Sequence, residues 1–356
     1  MSLRSTRLRR VTLSALHFSG AGRLVASLTR GIGAIFMLHH VSPDKPRAFQ
    51  PSHCLSVTPE FLEETIRHVR ASGFDILSLD EAHFRLTEGE YRRPFVCFTF
   101  DDGYRDNFEH AYPVFKRHDL PFAVYVATDY VDGHGNLWWL ALERAVAKAG
   151  KLNVRIDGAA RGFRSGTPSE KEAAFHTIYA WLRSIEEDDA RAFVREVCTN
   201  IGFDPQALCR EVVMGWAEIK QMAADSRLTI GAHTRRHYAL AKLTHGAARA
   251  EMEESIRRIE RELGTPCRHF SFPYGDETGA GSREFALARE LGLKTAVTSR
   301  EGLIYRKHSG RLTYLPRIAL NGDYQRQRYV KLLLSGAPFA FAKLGRSGTR
   351  AAAPVH

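Results

Sequence analysis

Two adjacent carboxylates end an apolar run in Phe98-Thr99-Phe100-Asp101-Asp102-Gly103-Tyr104. Side chains alternate across a strand, so Asp101 and Asp102 leave in different directions, and one can bind a metal while the other faces the reactants. Gly103 lets the chain turn away from the strand end. The same residues also suit a strand followed by an Asx-type turn. A second segment, His233-Thr-Arg-Arg-His237, holds two imidazoles four apart. On a helical turn they would share one face and grip one cation. Position 234 is Thr, so the Glu of a metalloprotease HExxH helix is absent. Two His plus Asp102, with positions left open for water, make a hydrolytic metal set. A third segment, Arg268-His-Phe-Ser271-Phe272-Pro273-Tyr274-Gly275, again ends a strand in a rigid turn. There the Tyr274 amide can serve as an oxyanion donor.

In this order, Thr99-Phe-Asp-Asp-Gly-Tyr104, His233-Thr-x-x-His237 and Phe272-Pro-Tyr-Gly275 resemble the motifs of the polysaccharide deacetylase family, also called carbohydrate esterase family 4. Its branches include the nodulation-type chitooligosaccharide deacetylases. The resemblance covers residues 90–300. It implies a distorted (β/α)7 barrel, a divalent metal, usually Zn2+, and removal of an N- or O-acetyl group from a sugar. By position, Asp101 is then the general base toward a water held by the metal. Asp102, His233 and His237 are the ligands, and the Tyr274 amide shares the tetrahedral oxyanion with the metal. Two departures stand out. Many members carry an Arg just before the third motif to hold the base. Here that stretch reads Ser271-Phe272-Pro273, the nearest Arg is Arg268, and Arg317 in Leu315-Pro316-Arg317-Ile318 is the alternative partner of Asp101. Many members also carry a C-terminal Leu-x-His that supplies the general acid, and Tyr305-Arg-Lys-His308 matches it poorly. Phe36-Met-Leu-His39-His40-Val41 instead resembles the N-terminal Tyr-His-x-Val of a circularly permuted branch. His39 would then protonate the leaving amine, or else simply cap the strand, with His40 as its neighbour or a plain loop residue. Tyr104 and Asn107 are expected to support the motif turn. Trp138-Trp139 suits a sugar-stacking wall, though packing inside a helical segment is the preferred reading.

The elements that must position these residues alternate. Strands are expected at Ala34–Leu38, Phe74–Leu79, Pro94–Phe100, Pro121–Thr128, Leu228–Ala232, Arg268–Phe272 and Lys294–Thr298. Helices are expected after Thr58-Pro59, with Phe61, Leu62, Thr65, Ile66 and Val69 as the buried face, and at Asp106–His118, kinked at Pro113. Further helices are expected at Trp216–Ala224, His245–Leu263 and Ser282–Leu291. Seven strands separated by helices mean parallel strands with crossover connections, and polar residues gathered at the strand ends favour a barrel over an open sheet. Residues 134–225 break the rhythm with long amphipathic stretches and one weak strand, Leu152–Ile156, so they read as a mainly helical insertion. The plan is a basic N-terminal segment at 1–30, an α/β barrel at 31–325 and a basic tail at 326–356. Within that tail, Val330–Leu344 reads as an amphipathic surface segment.

Composition sets the outer limits. The chain has 356 residues, 44% hydrophobic and 26% charged, which excludes disordered and collagen-like classes. No apolar run approaches the ~18 residues of a membrane span. Net charge is +11. Residues 1–43 carry six Arg and no acid, residues 324–356 carry six basic residues and no acid, and the remainder is nearly balanced. A nucleic-acid groove through the fold is therefore not expected, whereas the ends suit a peripheral contact with anionic membrane. Five Cys without a CxxC, and no signal peptide by pattern, fit a reducing, cytoplasmic setting. The leading functional expectation is a metal-dependent deacetylase of an N-acetylhexosamine glycan, free or lipid-linked. The alternatives are a catalytically silent sugar-binding barrel and a metal hydrolase of another amide or ester.

Overall fold

The computed structural model describes residues 11, 13–16, 18, 25–26 and 28–341. Most of the basic N-terminal segment, and the last part of the basic tail with Lys343, Arg346 and Arg350, lie outside the described residues.

Seven parallel strands close into a barrel: β1 (Gly33–Leu38), β2 (Phe95–Phe100), β3 (Phe122–Val126), β4 (Leu228–Ala232), β5 (His269–Ser271), β6 (Thr295–Glu301) and β7 (Leu315–Ala319). They stand around the barrel in chain order. β1 pairs with β2 from Gly33↔Phe95 to Leu38↔Phe100, and the ring closes through Phe36↔Ile318 and Met37↔Ala319. Every connection is a crossover, so all seven C-terminal ends share one mouth.

The count of seven agrees with expectation, but one member does not. Phe74–Leu79 contributes only Asp75–Ile76, a two-residue strand beside the first half of β2. Ser78 then caps a helix at Leu79–Glu88, donating and accepting with Glu81 in a capping box. The barrel position passes to Leu315–Ala319, whose Pro316 and Arg317 weaken its strand signal.

Alternation along the strands sorts the side chains into two layers. Ile35, Phe95, Cys97, Tyr125, Val297 and Leu315 fill the barrel interior. Phe36, Val96, Phe98, Phe100 and Ile318 face the surrounding helices. All six residues of β2 are buried, as both faces of a barrel strand must be. The helix at Pro59–Ala71 starts at Thr58, whose Oγ1 accepts from the Phe61 N–H at 3.2 Å, and buries the five expected residues. Around Pro113, which has no N–H to give, the helix opens into a wide turn at Asn107–Ala111 before continuing to His118.

The stretch 134–225 is helical at Trp138–Lys148, Pro168–Ser184, Glu187–Asn200, Pro205–Val212 and Trp216–Ala223, and it also holds a hairpin. Lys151–Ile156 pairs antiparallel with Ala159–Arg164 across Asp157-Gly158, both with positive φ, as a tight hairpin turn requires. These elements share a core of their own, including Leu142, Phe175, Ile178 and Val194. The segment read as a basic tail begins as a packed helix. Gln327–Leu334 buries Val330, Leu332, Leu333 and Leu334, so its apolar residues belong to the core rather than to a surface segment. No helix among the described residues is long and apolar enough to cross a membrane.

Candidate active site

The same alternation that fills the barrel places Asp101. Phe95, Cys97 and Thr99 point inward, and Asp101 continues that row one step beyond the end of β2. Leu315 and Arg317 do the same on β7. The two charges meet above the barrel core, with Arg317 Nη1 donating to Asp101 Oδ1 at 2.8 Å and Nη2 to Oδ2 at 2.6 Å. Arg317 is 1% exposed and its remaining donors are used: Nε reaches the Thr298 carbonyl at 2.9 Å, Nη1 the Thr99 hydroxyl at 3.2 Å and Nη2 the Ser271 hydroxyl at 3.0 Å. Burial alone would push Asp101 up. The guanidinium outweighs it and holds the carboxyl below its ordinary value. Of the two candidate arginines, Arg317 is the partner. Arg268 lies before β5, at the far end of the barrel from the mouth.

Asp102 breaks the alternation. Its φ is 72°, in the left-handed region, and the carboxyl swings away from Asp101. Gly103 follows with φ 69° and packs 3.0 Å (at a notional Cβ) from the Val126 side chain, so a residue with a side chain would be strained there. Asp102 Oδ1 then lies 3.4 Å from His233 Nε2 and 3.2 Å from His237 Nε2. Those three ligand atoms are buried and lie within 4.8 Å of one another. Asp102 Oδ1 has no hydrogen-bond partner.

The two His are not on a helix, contrary to expectation. His233 follows β4, and Thr234 and His237 both take positive φ, 63° and 58°. The loop is held by its neighbours. Thr234 Oγ1 accepts from the His237 N–H at 2.9 Å, and Glu251 accepts from Arg236 through both backbone and side chain. Arg191, from the helix Glu187–Asn200, donates to the carbonyls of His237 at 3.0 Å and Arg236 at 3.3 Å. Of the six non-glycine residues with positive φ among those described, Asp102, Thr234, His237 and Tyr274 all stand at this mouth. Strained backbone gathers where the surroundings over-determine it.

The donor set fits a divalent cation. Ligand–metal bonds of about 2.0–2.1 Å in a tetrahedral site separate neighbouring ligand atoms by about 3.3 Å, which matches the two Asp102–His distances. His233 Nδ1 lies 2.6 Å from the Ser271 carbonyl, so that nitrogen carries the proton and Nε2 keeps its lone pair for the centre. Burial pulls His237 down, which favours the neutral ring a ligand must be. Burial pushes Asp102 up, but the imidazoles outweigh it and hold it well below the carboxylate range.

His39 follows β1 and opens onto the same cavity as Asp101 and Asp102. Burial lowers its pKa, with the two carboxylates opposing. His40 is engaged elsewhere: its Nδ1 lies 2.6 Å from Asp106 Oδ2 and its ring stacks on Tyr104 at 3.6 Å. Asn107 donates to the His39 carbonyl at 2.7 Å, so it supports the turn as expected. Tyr274 has φ 61°. Its carbonyl accepts from the Ser299 hydroxyl, and its own N–H has no partner among the described residues. Trp138 is buried and donates to the Tyr274 hydroxyl at 2.9 Å, so packing is its role, while Trp139 reaches the cavity wall 4.9 Å from the His237 ring. His308 closes a turn on the Tyr305 N–H at 2.9 Å and does not reach the site.

All seven residues singled out from the sequence, Asp101, Asp102, His233, His237, His39, Tyr274 and Arg317, line one cavity of about 320 Å³. The family model described as Polysaccharide deacetylase matches residues 88–296, more than half of the chain. The chain belongs to the polysaccharide deacetylase family. Solved relatives share the barrel. The deacetylase PplD of Streptococcus pyogenes, in complex with acetate, superposes with a TM-score of 0.56 at 17% identity over 84% of this chain and 97% of its own. A de-N-acetylase from Aggregatibacter actinomycetemcomitans gives 0.54 at 13% identity over 84% and 99%. In sequence, YxkH of Bacillus subtilis (strain 168) is 29% identical over 93 residues, 26% of this chain and 30% of that relative. The chain thus aligns with under a third of this curated relative's length.

Sequence reading missed Ser271, Thr99 and Arg191. Ser271 serves both Arg317 and His233, and a hydroxyl residue inside an apolar strand is the only signal of it. Arg191 has a local one: Glu187 and Arg191 are spaced for one helix face and form an ion pair at 2.7 Å, both buried.

Proposed function

We propose that this protein is a metal-dependent carbohydrate deacetylase that hydrolyses the acetyl group of an N-acetylhexosamine. The observation that carries the reading is the buried convergence of Asp102, His233 and His237, with Asp102 Oδ1 left without a hydrogen-bond partner, beside a second carboxylate, Asp101, in one cavity. A divalent cation held by those three residues would polarise the acetyl carbonyl and make water a stronger acid there; its nitrogen-rich donor set favours Zn2+.

The chain's own groups supply the rest. Asp101, kept ionised by Arg317, accepts the proton of the attacking water. Arg317 also fixes the carboxylate plane, so that the base is aimed before the substrate arrives. The Tyr274 N–H donates to the oxygen that gains charge in the tetrahedral state. His39 lines the same cavity and, as the imidazolium, delivers a proton to the departing nitrogen. Acetate and a free amine result.

The test is acetate release from acetylated oligosaccharides, with bound metal measured in the same preparation. Loss of both on Asp102→Ala supports the reading, and undiminished release by that variant would end it. The basic ends support a further proposal, that the enzyme works at the cytoplasmic face of an anionic membrane on a lipid-linked glycan. Cell fractionation checks it, and recovery outside the cytoplasm would overturn it.

A further inference from the structure

The cavity is small for an enzyme of a polymer. At about 320 Å³ it stands at the low end of the ~300–1,000 Å³ typical of small-molecule pockets. Its outer wall is apolar and comes from outside the barrel: Pro51 and Leu55 on one side, Trp139, Phe175 and Tyr179 from the segment 134–225 on the other.

That segment is tied to the mouth on three sides. Toward the loop after β1, the Ser52 N–H donates to Glu143 Oε2 at 2.9 Å, and Phe49 meets Phe175 edge-on at 6.2 Å. Toward the loop after β5, the Arg183 guanidinium lies 3.5 Å over the Tyr274 ring and donates to Thr278 Oγ1 at 3.2 Å. Toward the loop after β4, Arg191 holds the His237 carbonyl and the Tyr238 hydroxyl donates to Asp188. A polymer lying across a catalytic centre needs an entry and an exit through the rim. These ties close the rim at the loops after β1, β4 and β5.

Resting on the deacetylase reading, we propose that the site admits one acetylated sugar residue at a time, the terminal residue of a chain or a single sugar on a carrier, and that Phe175, His176 and Tyr179 impose this limit. Inside, the apolar wall lies along the C–H face of the ring, while the acetamido group points down to Asp101 and Asp102.

The experiment uses the zinc-loaded full chain on two sets of probes: the methyl glycoside of N-acetylglucosamine, and its β-1,4- and β-1,6-linked pentamers. Tandem mass spectrometry maps the deacetylated unit. One acetate per pentamer, from a terminal residue, is expected, with kcat/KM for the methyl glycoside within about tenfold of the better pentamer. Acetate from internal units, or a kcat/KM more than a hundredfold higher for the pentamer, would overturn this inference and leave the deacetylase reading standing. No acetate from any probe would overturn both. Tyr179→Ala and, at a half-buried position outside the apolar core, His176→Ala should open the rim and raise internal release severalfold; unchanged terminal-only products in both would remove these residues from the limit.

Discussion

Arg317 and Asp101 face each other through two parallel hydrogen bonds, 2.8 and 2.6 Å, at a site where neither is more than 4% exposed. The guanidinium fork matches a carboxylate in plane, which a lysine ammonium cannot reproduce. Arg317→Lys should therefore keep the charge, lose the aim, and lower kcat by about 10²-fold. Bound metal should stay at the wild-type level. Parallel kinetics and metal analysis check this, and a variant with wild-type kcat would remove Arg317 from the positioning of the base.

Asp102, His233 and His237 act as one set. Alanine at any of them should abolish stoichiometric zinc, read by atomic absorption after dialysis, and acetate release with it. Full zinc occupancy in the His237→Ala variant would show that the centre lies elsewhere.

Arg191 reaches the same centre only through the backbone of His237. Arg191→Met should weaken zinc affinity by about tenfold or more, on the scale seen when supporting groups behind metal ligands are removed. Activity should recover when excess zinc is supplied. Competition with a chelator measures the affinity, and an unchanged zinc affinity would limit Arg191 to packing.

Glu187 neutralises Arg191 in the interior. Burial raises its pKa, but Arg191 and Lys242 outweigh it, so the folded value lies below the ordinary one. A depressed folded pKa stabilises the protein above the unfolded value, about 4.3, and the contribution is lost as the pH falls through the folded value. Glu187→Gln should thus cost about 3–5 kcal/mol at neutral pH, as for a buried pair deprived of one partner. The gap in urea stability should narrow as the pH falls below about 4. A gap that stays constant from pH 7 to 3 would contradict this account.

His39 and His40 are adjacent but differently placed. His39 opens onto the cavity, while His40 is held by Asp106 and Tyr104. His39→Ala should lower kcat by about 10²–10⁴-fold with metal content unchanged. His40→Ala should act more mildly and through stability, visible in thermal melting. The reverse order would exchange their roles.

Much of the site was legible because its residues stand where strands end. Asp101-Asp102-Gly103, His233 and Pro273-Tyr274 each interrupt an apolar run, and such interruptions are visible in one dimension. The geometry of His233 and His237 was not. Spacing four apart suits a helix, yet Thr234 and His237 adopt left-handed backbone that the contacts of Glu251, Arg191 and Thr234 Oγ1 sustain. Leu315–Ala319 was hidden as a strand because Pro316 and Arg317 argue against one locally, while closure of the ring against β1 decides it.

Local chemistry along the chain was enough to determine which side chains are available: two carboxylates, three imidazoles, an arginine and a turn amide, in an order that names the family. Which arginine holds Asp101, which wall covers the cavity and how wide the mouth stands were decided only on folding. Those depend on partners 46 to 216 residues apart, such as Arg317 with Ser271 and with Asp101, or Arg191 with His237, and no local rule of spacing reaches that far.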